Sequence, residues 1–579
     1  MTVSRQMRWA PALALGAFLF APFVLSAQAP RSKPATPDQA PSGKPAAQPT
    51  LSPAAEEALQ AAIQKIEAGR LAEAEAPARR AARLAPFSAE AQNVLAIVYD
   101  QLGRSAEAEQ AYRAALRLNP QFIAARNNLG NLLLRRNDYE KARLEFEAVL
   151  RADPGHAKTH FNLATLLMAT GQFSEAADHY AAARRLQGND PGVMLAQVNA
   201  LLKAGRTEEG LGVAAELSRM AGDNPQALFT VGVMLAQSEQ YEAAAQLFTR
   251  VNELNPGSYE VLYNLGIVHF NLNRLDEAAQ ALAQAADINP QPAETHFRLG
   301  LIASQLGDTG NGVVEFRHAT ERAPEQAQYR YMLGREYFRL GFWEGAVENY
   351  QKAADLDPTQ ALYFLSLGNA LFRADNYLTA THAFERAARL DGKIPDINYL
   401  IGYGYRAQGK FEEARSYLER QLSITPNHLE TNANLGYLAL EQGRFEDTEK
   451  YLKQALALDP DHLAANFDLA RMYAKQRKTD QAIAALRHVL ELSPDHAQAR
   501  YQLFLLYSRT KQSELAQEQL AQFRALEELD KQMRREQSYL EKSRRLRLTN
   551  RAEPEATQPP NLGPATTPPP ATRPPGGNT

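Results

Sequence analysis

Histidines offer the first possible chemistry in this sequence, because imidazole is a common metal ligand near neutral pH. The chain contains 11 of them, and His156 and His160 have the i, i+4 spacing that would place two zinc ligands on one helix face. The same side chains recur at fixed intervals, which favours a repeated structural role. Four stand two residues after a proline, and two share another recurring position: His156, His428, His462 and His496, then His160 and His296. With no H-E-x-x-H motif present, we predict no metal site and no cofactor.

Glycine-rich segments are the second feature that could carry chemistry, since glycine loops cradle phosphates. Segments 307–312 (GDTGNG) and 402–410 (GYGYRAQGK) have neither the G-x-x-x-x-G-K-S/T nor the G-x-G-x-x-G spacing. The G-x-S-x-G nucleophile motif is also absent. The sequence therefore predicts that this protein is not an enzyme.

The composition of the 579 residues excludes further classes. The absence of cysteine rules out disulfides, thiolate zinc sites, Fe–S clusters and cysteine nucleophiles. Lys and Arg number 63 against 66 Asp and Glu, a net charge of −3 that gives no general attraction to nucleic acid or anionic membranes.

The two ends of the chain have the composition of targeting and linker segments. Residues 1–29 combine Arg5 and Arg8 with an apolar run and small residues, which is typical of a secretory signal peptide; an uncleaved membrane anchor is the alternative. Seven prolines in 30–53 and nine in 554–579 predict disordered segments. We expect an exported protein, in a bacterial periplasm or secreted.

The region between these ends is an internal repeat of 34 residues. Of fifteen prolines in 54–553, ten keep one 34-residue register. Two further positions in the same register hold small residues, as in Gly266 and Ala278 of one unit. Fourteen units follow each other without an insertion. The ten prolines are Pro86, Pro120, Pro154, Pro256, Pro290, Pro324, Pro358, Pro426, Pro460 and Pro494.

Each unit reads as two amphipathic helices. In 260–290, apolar residues recur at helical spacing in both halves, and Asn289-Pro290 ends the second. Small residues at Gly266 and Ala278 allow the two backbones to approach closely, because larger side chains there would overpack the contact.

This pattern resembles the tetratricopeptide repeat. The segment 331–358, YMLGREYFRLGFWEGAVENYQKAADLDP, matches it nearly throughout, with Leu333, Gly334, Tyr337, Ala346 and Pro358 in place. The resemblance covers about four fifths of the chain. It implies an all-α fold, a right-handed α-solenoid of about 14 helix-turn-helix repeats whose first helices line a concave groove.

The predicted organisation is a signal peptide at 1–29, a Pro-rich linker at 30–53, the repeat array at 54–525, a helical cap at 526–548 and a Pro-rich tail at 549–579. A short coiled-coil seam through Leu526, Leu529, Met533 and Leu540 is the alternative for the cap. Val198 with Gly210, and Pro77 within a second helix, mark the fifth and first repeats as the least stable.

Aromatic and asparagine side chains of the first helices are the candidate ligand contacts. An aromatic residue three positions before the small residue recurs along the array and could grip an extended peptide or stack on sugars, or pack between helices. Asparagines nearby could hydrogen-bond a ligand backbone. The candidates are Phe161, Phe229, Tyr263, Phe297, Tyr331, Tyr399, Phe467 and Tyr501, with Asn128, Asn131, Asn162, Asn264, Asn369 and Asn434.

The resemblance implies a non-catalytic scaffold that binds partner proteins or peptides in a groove. Two alternatives remain open: a glycan-binding module of the cell envelope, and an accessory subunit of a secretion or polymer-export machine. The partner itself is not encoded in a readable pattern.

Overall fold

The computed structural model describes residues 51–550, which contain 28 α-helices and no strand. Consecutive helices form fourteen pairs, one per repeat, so the predicted all-α array of tandem helix pairs is confirmed. Residues 1–50 and 551–579, with the predicted signal peptide and most of both Pro-rich segments, lie outside the described residues. None of the described helices combines the length and apolar character needed to cross a bilayer.

The first helices of repeats one to fourteen are α1 (Pro53–Glu67), α3 (Ala89–Gln101), α5 (Ile123–Arg135), α7 (Ala157–Ala169), α9 (Pro191–Lys203), α11 (Pro225–Gln237), α13 (Tyr259–Asn271), α15 (Ala293–Gln305), α17 (Ala327–Arg339), α19 (Ala361–Arg373), α21 (Ile397–Ala407), α23 (Leu429–Glu441), α25 (Leu463–Lys475) and α27 (Ala497–Arg509). The second helices are α2 (Leu71–Leu84), α4 (Ser105–Leu118), α6 (Tyr139–Ala152), α8 (Phe173–Gln187), α10 (Thr207–Ala221), α12 (Tyr241–Leu254), α14 (Leu275–Ile288), α16 (Thr309–Arg322), α18 (Trp343–Leu356), α20 (Tyr377–Leu390), α22 (Phe411–Ile424), α24 (Phe445–Leu458), α26 (Thr479–Leu492) and α28 (Ser513–Asn550).

The array divides into two compact units between Ile288 and Asn289. We call repeats one to seven the N-terminal unit and repeats eight to fourteen the C-terminal unit. In each unit, a second helix packs against the first helix of its own repeat and of the next one, while several consecutive first helices also contact each other. Positions within a repeat are counted below so that the small residue of the first helix is position 8.

Glycine at position 8 lets a large side chain of the second helix lie against the first-helix backbone. A Cβ placed on Gly368 would lie 2.5 Å from Cδ1 of Phe384, which is 1% exposed. The same clash would occur between Gly266 and Leu282, at 2.5 Å from Cγ. Close approach of the two helices therefore depends on the missing side chain.

The turn between the two helices has the left-handed backbone conformation at position 15 of every repeat. Eight of these fourteen residues are glycine, which adopts that conformation without a steric penalty. The other six are Asn137, Glu239, Asn273, Asp375, Arg477 and Lys511. The long side chains among them carry the cost of an unfavourable φ.

We expect Arg477→Gly to stabilise repeat thirteen by about 0.5–1 kcal/mol, because φ is 59° at this residue. Glycine removes the penalty of about 1–2 kcal/mol that arginine has in the left-handed conformation. Part of this gain is offset because glycine loses more backbone entropy on folding. Hydrogen exchange of amides in α25 and α26 measures it. Lys478→Gly, one residue later at φ −82°, is the control and should bring no gain; equal stabilisation by both changes would contradict the explanation.

The histidines that follow the repeat prolines are helix N-caps. Nδ1 of His428 accepts a hydrogen bond from the Thr431 backbone N–H at 3.1 Å, and Nδ1 of His496 accepts one from Ala499 at the same distance. His156 and His462 cap α7 and α25 in the same way. The structural role predicted for these four side chains is confirmed by this geometry.

Acid should weaken the His496 cap, because protonation of Nδ1 removes the lone pair that accepts the hydrogen bond. Burial lowers the pKa of His496 from its usual 6.5, despite nearby Asp495, so the unfolded chain binds the proton more tightly. The stabilisation is present above about pH 6.5 and is lost as the pH falls through the lower folded-state value. We expect protection of α27 amides to drop by about 1 kcal/mol towards pH 5.

His496→Asn tests this pH dependence, since asparagine is a good N-cap that does not titrate. The variant should lose less protection in α27 than the wild type between pH 7.5 and pH 5. An equal loss in both proteins would show that other groups cause the acid sensitivity.

The last helix, α28, extends the second helix of repeat fourteen to 38 residues. Leu529 and Met533 on it are 51% and 49% exposed. About half of the surface of each of these two residues is therefore exposed to solvent.

Candidate protein-interaction surface

The position-5 aromatic residues lie between helices. Tyr263 and Phe297 are only 2% and 3% exposed, so a ligand cannot reach their rings in this packing. For these two residues, the predicted ligand contact is corrected to a core role. Phe161, Phe229, Tyr331, Tyr399 and Phe467 are partly buried, and Tyr501 is 40% exposed.

Ring contacts explain the burial. Phe297 lies 5.6 Å from the Phe316 ring on its own second helix and 4.4 Å from the Tyr329 ring in the next repeat. Tyr331 makes the equivalent pair of contacts with Tyr350 and Tyr363, at 5.6 and 5.1 Å. Position 5 therefore joins one repeat to the next, and its rings contribute to stability.

The predicted asparagines also differ in accessibility. Asn264 and Asn434 are buried, and their side-chain amides donate to carbonyls of their own helices, Glu260 O and Glu430 O, both at 2.7 Å. Asn264 and Asn434 are only 4% and 5% exposed, so a ligand cannot reach them in this packing, and the structure corrects their predicted ligand role as well. Asn162 donates to Asn127 Oδ1 of the preceding repeat at 3.0 Å, and Asn128, Asn131 and Asn369 are partly buried.

A different set of first-helix positions forms the exposed surface. We call the surface formed by positions 9, 12 and 13 the first-helix face. Its charged side chains are partly or fully exposed, whereas apolar ones such as Phe338 also contact a second helix. In the C-terminal unit these positions hold seven basic residues and one acidic residue, Glu441; in the N-terminal unit they hold two of each. The seven, which we call the basic row, are Arg335, Arg339, Arg373, Arg406, Arg471, Lys475 and Arg509.

Aromatic rings separate some of these cations on the first-helix face. The Arg406 guanidinium lies 4.5 Å from the centre of the Tyr403 ring and 4.7 Å from that of Tyr437. Arg471 lies 5.9 Å from the same Tyr437 ring, and Phe372 lies 5.1 Å from the Tyr403 ring. Aromatic rings and guanidinium groups thus lie side by side across α19, α21, α23 and α25, and each remains partly exposed.

A buried carboxylate orients two members of the basic row. Glu336 is 0% exposed, accepts from Ser304 Oγ at 2.7 Å, and accepts from Arg339 Nη1 at 2.9 Å. Arg335 Nη2 donates to the same Ser304 Oγ at 2.8 Å. The carboxylate lies beside Gly312, where most repeats have alanine; a Cβ there would be in ordinary van der Waals contact with Glu336 Cγ, at 3.4 Å. Glu336 and Ser304 therefore hold the guanidinium groups of Arg335 and Arg339 in fixed orientations at the surface.

Arg471 is held by two carboxylates, Asp468 at 2.8 Å and Glu441 at 2.6 Å. Burial raises the pKa of Asp468, and the hydrogen bond from Arg471 opposes that rise. Arg471 is thereby paired with two carboxylates. Arg373 and Lys475 are exposed; Arg373 lies 5.8 Å from the Trp343 ring centre, and Lys475 Nζ donates to the Leu440 carbonyl at 3.2 Å.

Sequence reasoning missed the basic row because it searched for one residue type repeated at one position. The row is made of two residue types at three positions, and it occupies only half of the array. Charge counted per position and per half of the array would have revealed it.

The protein-family models that match this chain all describe the same type of repeat. Tetratricopeptide-repeat models match residues 89–122, 127–191, 195–259, 235–301, 293–326, 393–461 and 434–497, and a TPR-repeat model matches 334–375. No curated protein sequence matches the chain significantly.

Solved structures with the same kind of fold share little sequence with this chain. Naa15/Naa10 bound to HypK-THB is 14% identical over 82% of this chain and 94% of that one, with a TM-score of 0.31. Yeast Tom70 is 17% identical over 74% and 96%, with a TM-score of 0.27. YrrB, described as a TPR protein with an unusual peptide-binding site, is 21% identical over 34% and 99%, with a TM-score of 0.28.

Tandem helix pairs in a 34-residue register, glycine at the contact between paired helices and matches to repeat models along most of 89–497 lead to one assignment. This chain belongs to the tetratricopeptide repeat family.

Proposed function

We propose that this protein is a non-catalytic scaffold, and that the first-helix face of its C-terminal unit binds an acidic, extended segment of a partner protein. The observation that carries the proposal is the basic row, with seven cations against one acidic residue at the same positions. Guanidinium groups pair with carboxylates, and the rings beside them offer flat apolar contact to aromatic side chains of a peptide.

The contrast between the two units supports placing the partner on the C-terminal one. The first-helix face of the N-terminal unit is balanced in charge, so it offers no comparable attraction. The buried Glu336 under Arg335 and Arg339 also favours binding, because side chains that are already oriented lose less entropy when a ligand arrives.

A labelled peptide tests the proposal directly. The probe is a fluorescein-labelled 12-residue peptide of Glu and Tyr, titrated with the full chain while fluorescence anisotropy is recorded. Arg373→Glu with Lys475→Glu should weaken binding by at least about tenfold, since two attractions become repulsions. The matched control reverses Arg135 and Lys203, which are exposed cations at the same position 13 of the N-terminal unit, and should change affinity by less than about twofold.

Two further probes separate the proposal from its competitors. A single-stranded oligonucleotide of equal charge and a soluble envelope glycan are titrated under the same conditions. Tighter binding of either probe than of the acidic peptide, or equal weakening by both variant pairs, would overturn the proposal.

The cellular setting rests on residues 1–29 alone. We propose that the scaffold works after export, and fractionation of cells expressing the full chain tests this. Recovery of the protein only with the cytoplasm would refute it.

A further inference from the structure

A cluster of three metal-ligating side chains lies in repeat eight, away from the basic row. His296 on α15, with Glu315 and His318 on α16, each offer one ligand atom, and these atoms lie within 4.8 Å of one another. Among the residues whose side chains the structure describes, this is the one such group of three. We propose that it binds a divalent transition-metal ion, and that zinc is the ion best matched by two imidazoles and a carboxylate.

The spacing on α16 supports this assignment. Glu315 and His318 form a Glu-x-x-His pair, so both side chains leave the same helix face one turn apart. Helical proteins use this pair, with ligands from a facing helix, to build metal centres. Here the facing helix is α15 of the same repeat, which supplies His296.

The backbone contact of His296 involves Nε2, so Nδ1 is the ring nitrogen that can bind an ion. Its Nε2 lies 3.1 Å from the Pro290 carbonyl oxygen, which can only accept, so Nε2 carries the proton. Nδ1 lies 2.8 Å from Glu315 Oε2; in the neutral ring both atoms are acceptors, so this contact requires a cation between them, either a proton or a metal ion. A backbone carbonyl that fixes the tautomer of a histidine is the usual outer partner of a metal ligand.

Side chains at position 4 of other repeats also donate a hydrogen bond to the carbonyl of the preceding repeat proline. Arg126 Nε donates to Pro120 O at 2.9 Å, and Asn466 Nδ2 donates to Pro460 O at 2.8 Å. The proline carbonyl therefore selects a donor whatever the side chain. The tautomer of His296 follows from the repeat architecture.

His318 provides the independent observation. Its Nδ1 is buried and has no hydrogen-bond partner, although buried ring nitrogens are normally paired. The ring lies 5.1 Å from the His296 ring, in a T-shaped arrangement. A bound cation would give this nitrogen its partner.

Charge and size around the cluster are compatible with an ion. Glu315 and Glu321 are the carboxylates facing His318, and Arg322 is the opposing cation, itself held at the Pro290 carbonyl. Ligand atoms around tetrahedral zinc lie roughly 3.3 Å apart, given metal–ligand bonds of about 2.0–2.1 Å. Small side-chain rotations would therefore close the cluster on the ion.

Repeat four provides a natural contrast. His160 and His179 occupy the positions of His296 and Glu315, and their Nδ1 atoms lie 2.8 Å apart. The residue equivalent to His318 is Ala182, so the third ligand is missing. We therefore expect one ion per chain.

Calorimetric titration of the metal-free full chain, without a histidine tag, with zinc chloride at pH 7.5 tests the site. The expected result is one ion per chain with a Kd of about 10 µM or tighter, and His318→Gln should weaken binding at least about tenfold. His488→Gln is the control, because His488 is 41% exposed beside Glu491 and lies outside the cluster; it should leave the Kd within about twofold. No binding at 100 µM zinc, or an unchanged Kd in His318→Gln, would overturn the proposal.

Cobalt(II) absorption gives a second readout that does not rely on the fold of a variant. The wild-type chain should develop visible bands of low-coordinate cobalt with nitrogen ligands, and excess zinc should remove them. A spectrum equal to that of aqueous cobalt would contradict the site even if zinc binds elsewhere.

Discussion

Gly334→Leu is expected to unfold repeat nine locally, with a loss of about 3 kcal/mol. A Cβ at this residue would already lie 2.8 Å from Cδ1 and 3.0 Å from Cε1 of Tyr350, a ring that is only 3% exposed. Leucine adds three more carbons to a contact that has no room for the first, which places the change at the upper end of overpacking costs. The ring cannot move outward without separating α17 from α18.

Hydrogen exchange resolved by repeat is the suitable measurement, because stability in such arrays is shared between neighbours and a single melting point conceals local loss. Protection should fall in α17 and α18 and in the adjacent α16 and α19. Gly212→Leu is the matched control: a Cβ there meets nothing within 4 Å, and leucine favours the helix by up to about 1 kcal/mol. Equal loss in both variants would refute the packing explanation.

Phe297→Ala is expected to cost about 3–5 kcal/mol, the usual range for removing a buried phenylalanine. The ring is 3% exposed and contacts Phe316 and Tyr329, at centroid distances of 5.6 and 4.4 Å. Its removal therefore leaves a cavity between repeats eight and nine. Protection of amides in α15 and α17 reports the loss.

Tyr501→Ala makes the same kind of truncation at position 5 of repeat fourteen, where the ring is 40% exposed. Its cost should be about 1 kcal/mol or less, as for other surface changes. If Phe297→Ala left protection intact yet abolished binding of the acidic peptide, position 5 would be a ligand contact after all.

These two results would divide the first helix into two roles. Positions 5 and 8 hold the repeats together, while positions 9, 12 and 13 present charge to solvent. The division allows the interaction surface to change without loss of the fold, because Arg373 and Lys475 are exposed residues.

The sequence alone determined the helix pairs, the repeat length and the family. Those features are local: proline disfavours the α conformation in the residue before it, and small residues equivalent to Gly334 and Ala346 recur at the contact between paired helices in most repeats. The helix-capping histidines, such as His428, were also predictable, since each follows a proline in the same register.

Only the tertiary structure decided which side chains meet across repeats. The burial of Phe297 depends on Tyr329, 32 residues further along the chain, and the orientation of Arg339 depends on Glu336 and on Ser304 of the preceding repeat. His296, Glu315 and His318 likewise come together because α15 packs on α16, which makes neighbours of side chains that the repeat pattern alone assigns to unrelated positions. Periodicity fixes the axis and phase of each helix, but the partner of a side chain depends on how neighbouring helices pack, and that is a non-local property.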